Sequence, residues 1–269
     1  MTQDARDSIA AEIAAWRKAH NGVLTVGISG SQGSGKTTLT RALAEILTQQ
    51  HALRVVQFSI DDIYKTKAER AAMAKEVHPL FATRTLPGTH DIGLGLEVFA
   101  SLKQGGETAI PYFDKSVDDR SPQTGWTIFK GQPDVILFEG WCLGAQPAED
   151  EAELDIPLND FERAYDPDGT WRQAIDLYLR CDYPALWHEI DKLIFIKIPS
   201  FESVFRWRKQ QEAETFAHAP EQGMSDNDIR RFTGQAERIT RRNLDTLPAK
   251  ADMTLHIGED HALTKITRN

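Results

Sequence analysis

Cysteine is almost missing from this chain: its 269 residues hold two, Cys142 and Cys181, with no CxxC and no Cys/His pair at ligand spacing. That points away from a disulfide framework and from a structural zinc site, and both thiols are expected in or near the core. Long apolar runs are missing as well. No stretch approaches the roughly 20 residues that a membrane helix needs, and the opening Met1-Thr2-Gln3-Asp4-Ala5-Arg6-Asp7 lacks the basic-then-apolar order of a secretory signal. The expected setting is cytoplasmic. Basic charge is also short, with 31 Lys and Arg against 40 Asp and Glu, a net charge of −9 and a pI near 5.4. This disfavours nonspecific nucleic-acid binding, which depends on neutralising phosphates, but a local basic pocket for a small anion remains compatible with it. There is no internal repeat, and the acidic stretch 149–155 reads as a solvated loop or helix end. The length suits one α/β domain spanning 1–269. Composition says nothing of oligomeric state.

What is present is a phosphate-binding loop. Gly30-Ser31-Gln32-Gly33-Ser34-Gly35-Lys36-Thr37 fits GxxxxGK[ST], a pattern expected by chance in about 1% of chains this long. The apolar run Val23–Ser29 precedes it as a buried strand, and Leu39, Leu43, Ile46 and Leu47 follow at helical spacing. Glycines there let successive N–H groups turn inward, and the helix starting near Lys36 adds its positive end. Residues Gly30 to Thr38 are therefore expected to hold the phosphates of ATP, with Lys36 on the β- and γ-phosphates and the Thr37 hydroxyl on Mg²⁺.

The remaining pattern alternates strands and helices, which predicts a mainly parallel, doubly wound sheet with helices on both faces, the P-loop NTPase fold. An N-terminal helix within 1–22 carries Ile9, Ile13 and Trp16 on one face. Strands are expected at Arg54–Ser59, Asp134–Phe138 and Leu193–Ile198, with Met253–Ile257 as the last. Helices are expected over 92–103 and over Trp171–Trp187 with a break near Pro184. Two more, from about Phe201 to Phe216 and from Ser225, belong to a helical lid region of about 199–247.

Ligands in open parallel sheets meet the carboxyl ends of the strands. At those ends lie Asp61 and Asp62, of which Asp61 is the expected catalytic base and Asp62 the expected cap, and Glu139, an acid suited to organising a metal. Arg206, Arg208 and Lys209 could fold over the phosphates and neutralise developing charge. The Arg84–Asp91 turn and the loop Pro111–Ser116 mix cations, acids and aromatics in a way that suits either substrate binding or surface turns.

In this order the motifs resemble the phosphoribulokinase/uridine kinase class of P-loop kinases, and within it the D-glycerate 3-kinase-like proteins. The likeness is carried by 30–38, 59–64, Arg84 with Pro87–Asp91, Pro111–Ser116, 138–144, and Trp207-Arg208 with Gln211-Glu212 and Gly223–Asp226. It implies ATP-dependent phosphorylation of a small hydroxylated compound such as an organic acid, with D-glycerate the leading acceptor. Uridine, pantothenate and sugar phosphates are the alternatives, and a nucleotide-dependent switch with little kinase activity is the competing class. By this resemblance Asp61 and Tyr64 form the Asp-x-x-Tyr motif with Asp61 as base, and Glu139 is the metal-associated acid. Arg84, His90, Asp91, Tyr112 and Lys115 fall where the acceptor pocket is expected. The segment 113–122 is shorter and more acidic than the family pattern, and 234–240 replaces a Pro-Ala-Tyr stretch.

Overall fold

The computed structural model describes residues 1–215 and 223–269. Its centre is a six-stranded sheet of β1 (Leu24–Gly30), β2 (Val55–Ser59), β7 (Val135–Gly140), β8 (Lys192–Lys197), β9 (Met253–Ile257) and β10 (Leu263–Arg268). They lie in the order β10-β9-β8-β1-β7-β2. All pairs are parallel except β9 with β10.

Alternation along the buried strands builds two cores. Leu24, Val26 and Ile28 of β1 and Val135 and Leu137 of β7 face α1 (Gln3–Ala19) and α2 (Lys36–His51), where Ile9, Ile13, Leu39 and Leu43 meet them. Ile136 and Phe138 face the other way. There Phe58, Phe99 and Phe138 stack with centroids 4.8–5.2 Å apart, beneath α4 (Ile92–Gln104), α6 (Thr170–Cys181) and α7 (Tyr183–Trp187). The five expected strands stand within two residues of their expected bounds, α1 falls inside the expected 1–22, and α2 starts at Lys36 as expected.

Four departures have plain causes. Met253–Ile257 is not the last strand, because β10 adds antiparallel to it; β10 is a half-exposed edge with Thr264, Lys265 and Thr267 and no apolar run. Between α4 and β7 the chain forms two small antiparallel pairs, β3 (Glu107–Ile110) with β6 (Thr127–Lys130) and β4 (Phe113–Asp114) with β5 (Asp119–Arg120), so part of the Pro111–Ser116 loop is strand. A further helix, α3, spans Lys67–Glu76. Cys142 is buried, as expected, but Cys181 is exposed at the end of α6.

Beyond β8 come α8 (Phe201–Thr215), α9 (Asp226–Gly234) and α10 (Glu237–Thr246). The expected end of α8 at Phe216 lies outside the described residues. Ser225 caps α9 in a reciprocal box with Asp228. Among the described residues no helix is long and apolar enough to cross a membrane.

Candidate active site

Three neighbouring strands deliver the nucleotide side. In the register Ile28 lies beside Glu139, and Glu139 beside Ser59, so the loop after β1, the end of β7 and the turn after β2 open together. Gly35 occupies the N-cap of α2 at φ +86°, a conformation costly for any residue with a Cβ. No side chain caps the helix there, which leaves its first N–H groups for a ligand. The Ser31 and Ser34 hydroxyls are buried with no hydrogen-bond partner among the described residues. Orphaned donors around a helix N-terminus fit phosphate oxygens.

Lys36 Nζ donates to the Ser31 carbonyl at 3.1 Å. Burial pulls its pKa down while Glu139 and Asp61 oppose that pull. Thr37 Oγ1 donates to Glu139 Oε1 at 2.8 Å, a pair of hard oxygens of the type Mg²⁺ takes. No group of three or more His, Cys, Asp or Glu suited to a metal exists among the described residues. The arrangement therefore fits an ion completed by phosphate oxygens and water rather than one caged by protein.

A cavity of about 340 Å³ stands over the loop, lined on its other side by Trp207, Gln210 and Gln211 of α8 and by His261. The Trp207 and His261 rings lie 4.0 Å apart. Arg206 and Arg208, expected on the phosphates, do not line this cavity. Each is held by a carboxylate, Arg206 by Glu259 and Arg208 by Glu212. Lys209 pairs with Asp226 at 2.6 Å. Of the lining residues, Trp207 and Gln211 enter the sequence reading only among those that carry the family resemblance, and Gln210 and His261 are not singled out by it; selection by charge favours the neighbouring cations. A larger cavity, about 540 Å³, lies on the reverse side of α8 against α9, α10 and α5 (Asp160–Tyr165), away from the loop.

The acceptor side begins at the one-turn helix Ile60–Ile63. Asp62 accepts from the Ser59 amide at 2.9 Å and so closes a capping box, and burial pushes its pKa up to about 6. Asp61 instead accepts from Lys115 Nζ at 2.7 Å. Burial works against its charge, but Lys115, with Lys36 adding to it, holds the carboxyl below its ordinary value. The Tyr64 hydroxyl stands well above its usual pKa through burial and the nearby Asp61. Its ring stacks on His90 at 4.5 Å.

His90 is 1% exposed, and burial takes its pKa down to about 3. The Tyr183 hydroxyl accepts from the Gly88 amide at 2.9 Å and lies 2.5 Å from His90 Nδ1. With an acceptor role already filled, the phenol donates to Nδ1, so the neutral ring carries its proton on Nε2. Nε2 has no partner among the described residues.

Two expected ligands sit otherwise. Asp91 caps α4 through the Leu94 amide at 3.0 Å and pairs with Arg120 at 2.8 Å, which makes it a fixed structural anion. Tyr112 is 52% exposed, because the neighbouring Phe113 takes the inward position against Tyr64 and strand side chains alternate. Arg84 pairs with Asp118 beside the Phe113 ring.

Comparison with known proteins agrees with this geometry. Residues 25–151 match the Phosphoribulokinase / Uridine kinase family. An uncharacterized kinase of Schizosaccharomyces pombe, mug58, is 34% identical over 247 residues, 87% of this chain and 86% of that protein. The chloroplastic D-glycerate 3-kinase of Arabidopsis thaliana is 32% identical over 91% of this chain, which spans about half, 54%, of that relative. In fold, the D-glycerate 3-kinase of Cryptococcus neoformans superposes with a TM-score of 0.81 at 24% identity, covering 99% of this chain and 98% of that one. With a kinase relative 34% identical over most of both chains and a phosphate loop beside Glu139 at the strand ends, the chain belongs to the phosphoribulokinase/uridine kinase family of P-loop kinases.

Proposed function

We propose that the chain acts as one kinase domain that transfers the γ-phosphoryl group of ATP to the 3-hydroxyl of D-glycerate, giving 3-phosphoglycerate and ADP. The observation that carries this reading is the ion pair of Asp61 with Lys115 at 2.7 Å, with Arg84 close by. A base paired to a 60%-exposed lysine is suppressed until something else takes the lysine. An acceptor carboxylate does that, and Asp61 regains basicity as the acid binds. The 32% identical Arabidopsis relative that bears the name D-glycerate 3-kinase supports the same acceptor.

In the proposed reaction the acceptor oxygen attacks the γ-phosphorus in line while the bond to the β–γ bridging oxygen breaks, and the hydroxyl proton passes to Asp61. Lys36 and the loop amides hold the β- and γ-phosphates; the His90 Nε2–H supplies a donor for an acceptor oxygen. Mg²⁺, when bound, spreads the phosphate charge, and Thr37 and Glu139 would hold it directly or through water. Trp207 and His261 line the nucleotide end.

The test is coupled ADP release with MgATP against D-glycerate, L-glycerate, uridine, pantothenate and ribulose 5-phosphate. D-Glycerate turnover is expected, with Asp61→Asn lowering kcat by about 10²–10⁴-fold while MgATP still binds. Preference for another acceptor replaces the substrate and keeps the chemistry. Acceptor-independent hydrolysis removes the kinase reading in favour of a nucleotide switch.

A further inference from the structure

Asp118 takes no part in the roles assigned above, yet its carboxylate is shared by two guanidiniums. Oδ2 accepts from Arg70 Nη2 at 3.0 Å, and Oδ1 pairs with Arg84. Arg70 is fully buried, with its remaining donors on the carbonyls of Lys65, Ala82 and Asp118 itself. Both guanidiniums lie by the Phe113 ring, at 5.7 and 5.5 Å. Phe113 meets Tyr64 edge-on at 5.2 Å. That chain of contacts links Arg84 to Tyr64, whose hydroxyl is within electrostatic reach of both Arg84 and Asp61.

The charges there can be counted. Lys115 cancels Asp61; Arg120, shared by Asp91 and Glu69, and Lys65, whose charge acts on Asp91, cancel those two acids. Arg70, Arg84 and Asp118 together leave one positive charge uncompensated. Two guanidiniums without the intervening acid would carry two, the count that suits a phosphate or a dicarboxylate.

We propose that Asp118 sets the charge class of the acceptor, matching the site to a monocarboxylate and against dianions and neutral polyols. The inference rests on the glycerate reading and deepens it. A dianion leaves surplus negative charge close to Asp61, Glu139 and the transferring phosphoryl group, and a neutral acceptor leaves the one net positive charge of the Arg70–Asp118–Arg84 group uncompensated once water is excluded. Selection of this kind works through the penalty on the wrong ligand.

The probe is tartronate, a three-carbon hydroxy dicarboxylate of glycerate's size, used as a competitive inhibitor against D-glycerate. In the unaltered enzyme its Ki is expected at least tenfold above the D-glycerate KM, and the neutral D-glyceramide is expected to need at least tenfold more for half-maximal turnover. Asp118→Asn and Asp118→Gly both remove the charge, and both residues suit the backbone there, at φ +56°. In each, the ratio of tartronate Ki to D-glycerate KM should fall at least tenfold, with the KM for MgATP as control. Tartronate binding as tightly as D-glycerate in the unaltered enzyme, or a ratio within twofold of it in a folded variant, overturns the inference alone. No D-glycerate turnover at all overturns the proposed function with it.

Discussion

Lys115 has two opposed effects on the residue it touches. It stabilises the ionised Asp61 and so keeps it deprotonated at low pH, but a carboxylate so stabilised is a weaker proton acceptor. Asp61 must be deprotonated to act, so the acidic limb of kcat/KM marks its folded-state pKa. Removing Lys115 removes the attraction that lowers that pKa. Lys115→Ala is therefore expected to move the acidic limb upward, into a pH–rate profile begun at pH 4, where Asp61 of the unaltered enzyme is already ionised; a variant whose profile shows no upward move would detach Lys115 from the base. His90 adds no limb in this range, because burial keeps it neutral down to about pH 3.

At the level of elements, the turn before α4 sets the acceptor side. Gly88 sits at φ +103°, and a Cβ there would come within 2.5 Å of the Tyr178 ring. Its amide also donates to Tyr183, the partner that fixes His90. Gly88→Ala is expected to destabilise the fold by about 2–4 kcal/mol, measured by urea unfolding. Catalytic loss beyond that is expected because the His90 tautomer loses its support. The Pro87-Gly88 pair was legible in the sequence as a turn, but its dependence on a tyrosine 95 residues further on was not, since nothing local links them. The same division holds elsewhere. Strands buried on both faces, such as β1, announce themselves as apolar runs, and the loop, Asp61 and Glu139 follow from where those runs end. The edge strand β10, the small pairs β3–β6 and β4–β5, and the face that α8 turns to the loop depend on tertiary pairing that no local pattern carries.

For the molecule as a whole, the loop, Glu139 and α8 are separate in sequence and meet only in the folded chain, so nucleotide binding is linked to global stability. MgATP at 100 times its Kd should add about 2.7 kcal/mol, or about 5–8 °C in a thermal scan. Lys36→Ala should lose most of that gain; an undiminished shift in the variant would place the nucleotide elsewhere.

The strand order has a last consequence. The phosphate loop and Glu139 leave from β1 and β7 in the interior of the sheet, whereas Asp61 leaves from β2 at its border, and the acceptor groups stand on short pairs and turns outside it. The donor half is thus locked by neighbours on both sides, and the acceptor half is rimmed by segments that can be trimmed or lengthened without disturbing a central strand. A change of acceptor by insertion or deletion therefore falls at that border, where the acidic stretch around Asp118 lies, and leaves the nucleotide half intact.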